Sequence, residues 1–489
     1  MIEVICRDPY YAYDAYHITA AFYPEAVVEG QIRQRLEEDL DATVRLMRDG
    51  EEIFVWSQVK TQRREDKICM GQSLYSQLSE VTGQTLPWGL LTGIRPTKII
   101  RRMLEDGLTD GECRRRFISR YLVSDEKADL AVSIAKREMD YLRRAQIHGK
   151  QLAERGVTAS GEGICVYVHI PFCPSRCRYC SFASVPADRC ADQIEPYLDA
   201  LEQEIRAAGS LMADRPVTAV SVGGGTPTTL SGGQLKRLCS LLTDVFGRED
   251  DLSHGWLEWT VEAGRPDTIT EEKLHVMREA GVTRISINPQ TMHDETLRRI
   301  GRGHTTEDIC RAVEQTRKSG DFTINMDLIA GLEGETPEDF EDTLARLKDL
   351  KPDHVTVHAL AIKRASAFGQ EHTGLFATAR EVNRMVDTAC RWAGAQGLEA
   401  YYMYRQKNIS GNAENIGYAP PKEGSYYNIL IMEEVQDILA LGAGAVSKFL
   451  KRKNGEVTAI RRVENVKDVS LYIRQIKEMI KRKERNYAD

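Results

Sequence analysis

The sequence predicts an α/β protein centred on a partial (β/α)6 TIM-like barrel over residues 161–370, with an N-terminal α+β region over 1–160 and a mostly helical C-terminal cap over 371–489. Three observations lead to this class. From residue 166 onward, short apolar runs alternate six times with amphipathic stretches. Within those stretches the apolar residues recur three and four apart, the helical period. The runs themselves are nearly continuous in apolar residues, as expected of parallel strands covered on both faces.

Taken in order, the strands are expected at VYVHI (166–170), AVSVGG (219–224), LEWTVEA (257–263), RISINPQ (284–290), TINMDLIAG (323–331) and HVTVHALAI (354–362). The helices between them are expected at 196–212, 232–246, 270–281, 306–320 and 336–350. Thr270 before Glu271 and Glu272, and Thr336 before Pro337 and Glu338, have the chemistry of helix starts. Right-handed crossovers between such units make a parallel sheet that closes part way round a barrel. Substrate then belongs at the strand C-terminal ends.

Before the barrel, HITAAFYP and TVRLMRDGEEIFVWSQV alternate as strands do, the second broken by Asp49-Gly50 into a hairpin. Helices are expected near KIIRRMLEDG and from about Ser124 to Arg155. After the barrel, helical stretches mix with YYMYRQKN and the glycine-rich LGAGAVSKF, read as a cap beside the barrel opening.

A chain of 489 residues has room for two or three domains. No stretch approaches a membrane span, and the start, MIEVICRDPYY, lacks the basic-then-apolar plan of a signal peptide. The expectation is a soluble, cytoplasmic protein. The odd number of cysteines, 11, argues against a disulfide framework and for a reducing compartment. A net charge of −7 gives no global attraction to nucleic acid. The basic runs Lys451 to Lys453 and Lys477 to Arg485 read as solvated faces.

The chemistry concentrates after the first barrel strand. Cys173, Cys177 and Cys180 share one short loop, HIPFCPSRCRYCSF. Thiolates hold iron–sulfur clusters, usually four per cubane, so three ligands would leave one iron open to a small molecule. A zinc site with His169 as fourth ligand is the alternative, since zinc accepts three thiolates and one imidazole. Gly223, Gly224 and Gly225 end the second strand, where bare backbone can approach a ligand. Glu262, Gln290 and Asp327 stand at or near the ends of strands three to five, and polar groups buried there need partners.

The CxxxCxxC spacing resembles the signature of the radical S-adenosylmethionine (SAM) superfamily. Tyr167, His169, Pro171 and Phe172 before the triad, with Tyr179 inside it, resemble the YVHIPFC start of the oxygen-independent coproporphyrinogen III dehydrogenases. GIRPTK before the barrel, and YRQKN with ENIGY after it, look like the HemZ-type branch of that family. The resemblance implies a radical SAM barrel with a [4Fe-4S] cluster on Cys173, Cys177 and Cys180. It implies that Tyr167, Gly224 and Glu262 line the SAM bound at the cluster, and that Tyr179 belongs to the cofactor site. It matches Gly225, Thr226, Gln290, Arg302, Asp327 and Ala359 to positions that contact a second SAM. Tyr167 is counted with the three cysteines among the catalytic residues.

The implied reaction starts from a 5′-deoxyadenosyl radical, which takes a hydrogen from a propionate of coproporphyrinogen III. Carbon dioxide and one electron leave, a vinyl group forms, and two rounds give protoporphyrinogen IX in heme biosynthesis. The implied partners are that tetrapyrrole and a low-potential electron donor of the flavodoxin or ferredoxin type, with no nucleic acid and no membrane span. Arg95, Lys98, Lys363, Arg364, Arg405 and Lys407 are candidates for binding propionates. One departure keeps other readings open. Phe182 stands where the best-known dehydrogenases carry a further cysteine, as in the related heme chaperones. Those chaperones carry a His-Asn-x-x-Tyr-Trp segment, whereas the nearest match here, Glu414 to Ala419, lacks the histidine and the tryptophan. Heme carriage without dehydrogenase activity, and radical cleavage of heme itself, are the alternatives.

Overall fold

Asp8 and Pro9 begin a helix where the sequence suggested a strand. The computed structural model describes residues 1–28, 30–58, 63–93, 95–247, 255–363, 366–371, 376–406, 412–453 and 455–488. In it HITAAFYP falls largely inside α1 (Pro9–Phe22), capped by Asp8, which accepts from the Tyr10 N–H at 2.9 Å. Over eight residues the segment alternates. Over the whole stretch its buried residues Tyr11, Ala12, Ala15, Ile18, Thr19 and Phe22 follow the helical period, and that longer pattern prevails.

The strands β1 (Ile2–Cys6), β2 (Ile32–Leu36), β3 (Val44–Arg48) and β4 (Glu51–Trp56) form a sheet in the order β2-β1-β3-β4. The expected hairpin is β3–β4, and both turn residues, Asp49 at φ 52° and Gly50 at φ 87°, have the left-handed backbone such a turn demands. Helices α2 (Pro24–Val28), α3 (Arg63–Thr82), α4 (Thr97–Glu105), α5 (Asp110–Tyr121) and α6 (Asp125–Glu154) complete this region.

The barrel runs through β5 (Ile164–Ile170), a short parallel pair β6 (Phe172–Cys173) and β7 (Val185–Pro186), and α7 (Ile194–Leu211). It continues through β8 (Val217–Gly224), α8 (Gly232–Phe246), β9 (Glu258–Val261), α9 (Glu271–Glu279) and β10 (Arg284–Ser286). Then follow α10 (Asp294–Arg299), α11 (Thr306–Ser319), β11 (Thr323–Ala330), α12 (Pro337–Leu350) and β12 (His354–Ala359). Thr270 and Thr336 cap α9 and α12, accepting from the N–H groups of Lys273 and Asp339.

The C-terminal region holds α13 (Ala367–Glu371), α14 (Ala379–Ala395), β13 (Glu399–Tyr404), β14 (Asn415–Ala419), α15 (Tyr426–Glu433) and β15 (Asp437–Leu441). It ends with β16 (Val446–Lys453), β17 (Glu456–Glu464), α16 (Val469–Arg474) and α17 (Ile476–Ala488). Beyond its helices it lengthens the barrel sheet at both edges, giving the order β13-β14-β12-β11-β10-β9-β8-β5-β15-β16-β17. β15 pairs parallel with β5, so seven parallel strands, β12 through β15 in that order, form the wall.

The wall is not apolar on both faces. Glu258, Thr260 and Glu262 alternate along β9 and just past it, as do Arg284, Ser286 and Asn288 along β10, Asn325 and Asp327 along β11, and His354, Thr356 and His358 along β12. These polar rows meet across the sheet. Asn325 Nδ2 donates to Ser286 Oγ at 3.3 Å and Thr356 Oγ1 donates to Asn325 Oδ1 at 3.1 Å. A polar row inside a barrel marks a lumen, since the same groups in an apolar core would be costly. Its lower end is closed by α15, where Ser425 Oγ and the Tyr426 N–H each donate to Glu258 at 2.7 Å.

Candidate active site

The triad loop leaves β5 at the upper end of the lumen and is held from several sides. Ser175 Oγ donates to the Gly301 carbonyl at 2.9 Å and the Arg178 N–H donates to the Ile300 carbonyl at 3.0 Å. Arg265, 3% exposed, reaches in from the end of β9 and donates to Ser175 Oγ at 3.0 Å. Arg302 donates to the Tyr179 hydroxyl at 3.0 Å and to the carbonyls of Asn288, at 2.7 Å, and Gly264. Two buried guanidinium groups thus tie the loop to the neighbouring strand ends. Cys173, Cys177 and Cys180 are each half-buried.

Burial pushes the Cys173 and Cys180 thiols up, and the neighbouring Cys177 opposes ionisation of both. Iron is what would deprotonate them. Among the described residues no three His, Cys, Asp or Glu side chains lie close enough to share a single ion. The His169 ring packs on Gly224, and burial lowers it to about 4.

The glycine turn is shaped by what it touches. A Cβ on Gly223 would lie 2.5 Å from the Glu262 carboxylate, one on Gly224 2.4 Å from the His169 ring, and one on Gly225 2.6 Å from the Phe172 carbonyl. Gly224 also sits at φ 106°, where a side chain is strained. The turn is pinned beneath the triad loop by the Gly225 N–H, donating to the Ile170 carbonyl at 2.7 Å, and the Thr226 N–H, donating to the Phe172 carbonyl at 2.8 Å. Thr226 Oγ1 stands 3.5 Å from Cys173 Sγ.

Below the triad, Tyr167 points into the lumen from β5 and stacks on Tyr427 at 6.0 Å. Glu262 lies recessed yet open to the lumen. Burial and the neighbouring Asp327 push its carboxyl up to about 7, against a backbone hydrogen bond from Gly224. Burial would raise Asp327 too, but hydrogen bonds from His358 and Asn325 hold it below the usual carboxylate range. The Asn325 bond measures 2.8 Å, and His358 Nε2 lies 3.7 Å from Asp327 Oδ2. Tyr404, on β13, places its hydroxyl 3.3 Å from His358 Nδ1.

Gln290 lies past the end of β10, which stops at Ser286 rather than running to 290. It sits at φ 71° and bridges to β11 through the bonds Gln290 N–H to Asp327 carbonyl, 2.9 Å, and Ile329 N–H to Gln290 carbonyl, 3.0 Å. Left-handed backbone at a non-glycine residue beside a lumen is the kind of strain found at functional sites. Ala359 ends β12, and its N–H donates to Asn415 Oδ1 at 2.9 Å.

The structure thus gathers Cys173, Cys177, Cys180, Tyr167, Tyr179, Gly224, Gly225, Thr226, Glu262, Gln290, Arg302, Asp327 and Ala359 at one end of the barrel. The suggested propionate ligands mostly do not join them. Arg95 pairs with Glu434 at 2.6 Å and with the Met432 carbonyl, and neighbouring Arg101 pairs with Glu433 at 2.7 Å. The GIRPTK segment, Lys98 included, therefore anchors α15 at the closed lower end. Arg405 is 2% exposed and donates to the carbonyls of Leu91, Asn412 and Ala413. Lys363 is exposed just past β12, at the upper end, while Arg364 and Lys407 lie outside the described residues. Arg265, His358, Tyr404 and Asn325 were not foreseen. The spacing of two between His354, Thr356 and His358 is the signal that could have found the last strand's contribution.

A family model for the radical SAM superfamily matches residues 167–347, so the barrel and its triad define the class. The chain is 40% identical over 380 residues to the oxygen-independent coproporphyrinogen-III oxidase-like protein HemZ of Bacillus subtilis (strain 168), covering 77% of this chain and 73% of that one. It is 36% identical over 202 residues to the heme chaperone HemW of the same organism, covering 41% of this chain and 52% of the chaperone. The solved coproporphyrinogen III oxidase HemN from Escherichia coli superposes with a TM-score of 0.53 at 26% identity, over 65% of this chain and 70% of that one. The chain belongs to the coproporphyrinogen oxidase-like family of radical SAM proteins that includes HemZ. Its cofactors are a [4Fe-4S] cluster and S-adenosylmethionine. Among the described residues no helix is long and apolar enough to cross a membrane.

Proposed function

We propose that this chain is an oxygen-independent coproporphyrinogen III dehydrogenase, converting two propionates to vinyl groups. The observation that carries the reading is the polar lumen at the triad end of the barrel, with Glu262 and Asp327 as neighbours in it. Similarity to HemZ across 77% of the chain, well beyond the barrel, supports the choice of substrate.

Bound at this site, the cluster and SAM would supply one-electron radical chemistry, the electron coming from a low-potential flavodoxin- or ferredoxin-type donor. Cys173, Cys177 and Cys180 would hold the cluster. Tyr167, Gly224 and Glu262 line the SAM at the cluster, with Tyr179 fixing the loop that presents it. Gly225, Thr226, Gln290, Arg302, Asp327 and Ala359 form the second SAM position. The half-protonated Glu262 can donate or accept toward ribose or amino groups, whereas the ionised Asp327 only accepts. Lys363 at the lumen mouth is the candidate propionate partner.

Heme carriage is the second reading, because Phe182 is 67% exposed beside the triad as an apolar landing point. Against it, the segment nearest the chaperone's heme motif is spent on structure. Glu414 accepts from Lys127 Nζ and Trp88 Nε1, both at 2.6 Å, and Asn415 accepts from Ala359.

The test is an anaerobic reaction of reconstituted protein, SAM and a low-potential reductant with coproporphyrinogen III or heme, products identified by mass. Mono-vinyl and then di-vinyl products from coproporphyrinogen support dehydrogenation. Heme bound without SAM consumption, or a heme ring opened while coproporphyrinogen is untouched, overturns it. Glu262→Gln and Asp327→Asn should each slow SAM use at limiting SAM while iron and sulfide content stays at the wild-type level.

A further inference from the structure

Two hydroxyls stand at the triad loop. Thr226 Oγ1 is 3.5 Å from Cys173 Sγ. The Tyr179 hydroxyl, two residues along from Cys177, accepts from Arg302 at 3.0 Å. In the thiol form either partner of the Thr226–Cys173 contact can donate. A cysteine that ligates iron has no proton, so the hydroxyl must be the donor.

Arg302 has only donors to give, so it occupies a lone pair of the Tyr179 oxygen and leaves the phenolic proton to be donated to a neighbouring acceptor. Arg302 is 4% exposed and Thr226 2% exposed, so water does not compete freely for either. Hydrogen bonds to cluster sulfurs are among the factors that set a cluster's potential. They stabilise the electron-richer, reduced state most.

We infer that Thr226 and the Arg302–Tyr179 pair act as positioning residues that raise the reduction potential of the cluster by donating hydrogen bonds to the Cys173 and Cys177 sulfurs. The step they tune is addition of one electron to the cluster from the low-potential donor, with no bond made or broken at sulfur and no proton taken up. The inference rests on the three cysteines being the cluster ligands, but not on which tetrapyrrole is the substrate.

The experiment is an anaerobic redox titration of the reconstituted holoprotein, read by the reduced cluster's electron paramagnetic resonance signal, with iron and sulfide measured on each sample. Thr226→Val and Tyr179→Phe are each expected to lower the reduced-to-oxidised ratio at a fixed potential about tenfold, or ~59 mV for one electron. Thr226→Ser, which keeps the hydroxyl, should stay at the wild-type value. Wild-type potentials in both Thr226→Val and Tyr179→Phe, at full iron content, overturn the inference. So does a Thr226→Ser shift as large as that of Thr226→Val, since packing would then be the cause. Should Thr226→Val fail to assemble a cluster, Tyr179→Phe decides alone. Wild-type protein lacking iron and sulfide would instead refute the ligand assignment.

Discussion

Glu262 stores a proton inside the barrel. Its folded value of about 7 lies above the unfolded 4.5, so as pH rises from 4.5 to 7 the unfolded chain releases the proton first. The native state then binds more protons than the unfolded one, and stability falls across that window before levelling off. Removing the titration by Glu262→Gln should make the cofactor-free variant more stable than wild type above pH 7, by up to about 3 kcal/mol, with the difference shrinking toward pH 4.5. Chemical denaturation at pH 5 and pH 8 measures this, and an identical difference at both values would contradict it. The cysteines, the glycine turn, Glu262 and Asp327 were legible because each lies within a short local pattern. Arg265, His358 and Tyr404 were not, because their meaning arises only where strands far apart in the chain meet.

The barrel strands show why the lumen was harder to read than the strands. From β9 to β12 each alternates an apolar outer face with a polar inner one, yet apolar residues dominate the composition, so a window scored for apolar content passes over the inner row. The seventh parallel strand, β15, is hidden for another reason: it comes after α15 near the C-terminus and joins β5 by a long-range pairing with no local signature. What holds that edge is a buried cluster. Lys483 on α17 donates to Glu204 at 2.6 Å and to Asn465 at 2.7 Å, while Tyr472 donates to Glu204 at 2.6 Å. Lys483→Met leaves a buried carboxylate without its countercharge, a loss expected to reach about 3–5 kcal/mol. Adding Glu204→Gln should recover much of it. Urea denaturation checks both, and a Lys483→Met loss under about 1 kcal/mol, the surface-pair range, would mean the pair is not acting as a buried one.

Across the whole molecule, one of the links between the N-terminal helices and the barrel edge is the Glu414 carboxylate, shared by Lys127 of α6 and Trp88. Glu414→Gln should therefore speed hydrogen exchange in α6 and β14 together. Faster exchange confined to β14 would show that the regions open independently. The chain's architecture places the cysteine triad, the lumen mouth and an exposed Lys363 at one pole, and the Arg95–Glu434 and Arg101–Glu433 pairs at the other. In the proposed reaction this pole takes a hydrogen atom from a propionate side chain. Coproporphyrinogen III deuterated at the propionate carbons next to the ring, incubated anaerobically with the reconstituted protein, SAM and a low-potential reductant, tests it most directly. One deuterium should appear in 5′-deoxyadenosine for each vinyl group formed, whereas vinyl products with unlabelled 5′-deoxyadenosine, or no SAM cleavage in the presence of this substrate, would contradict it.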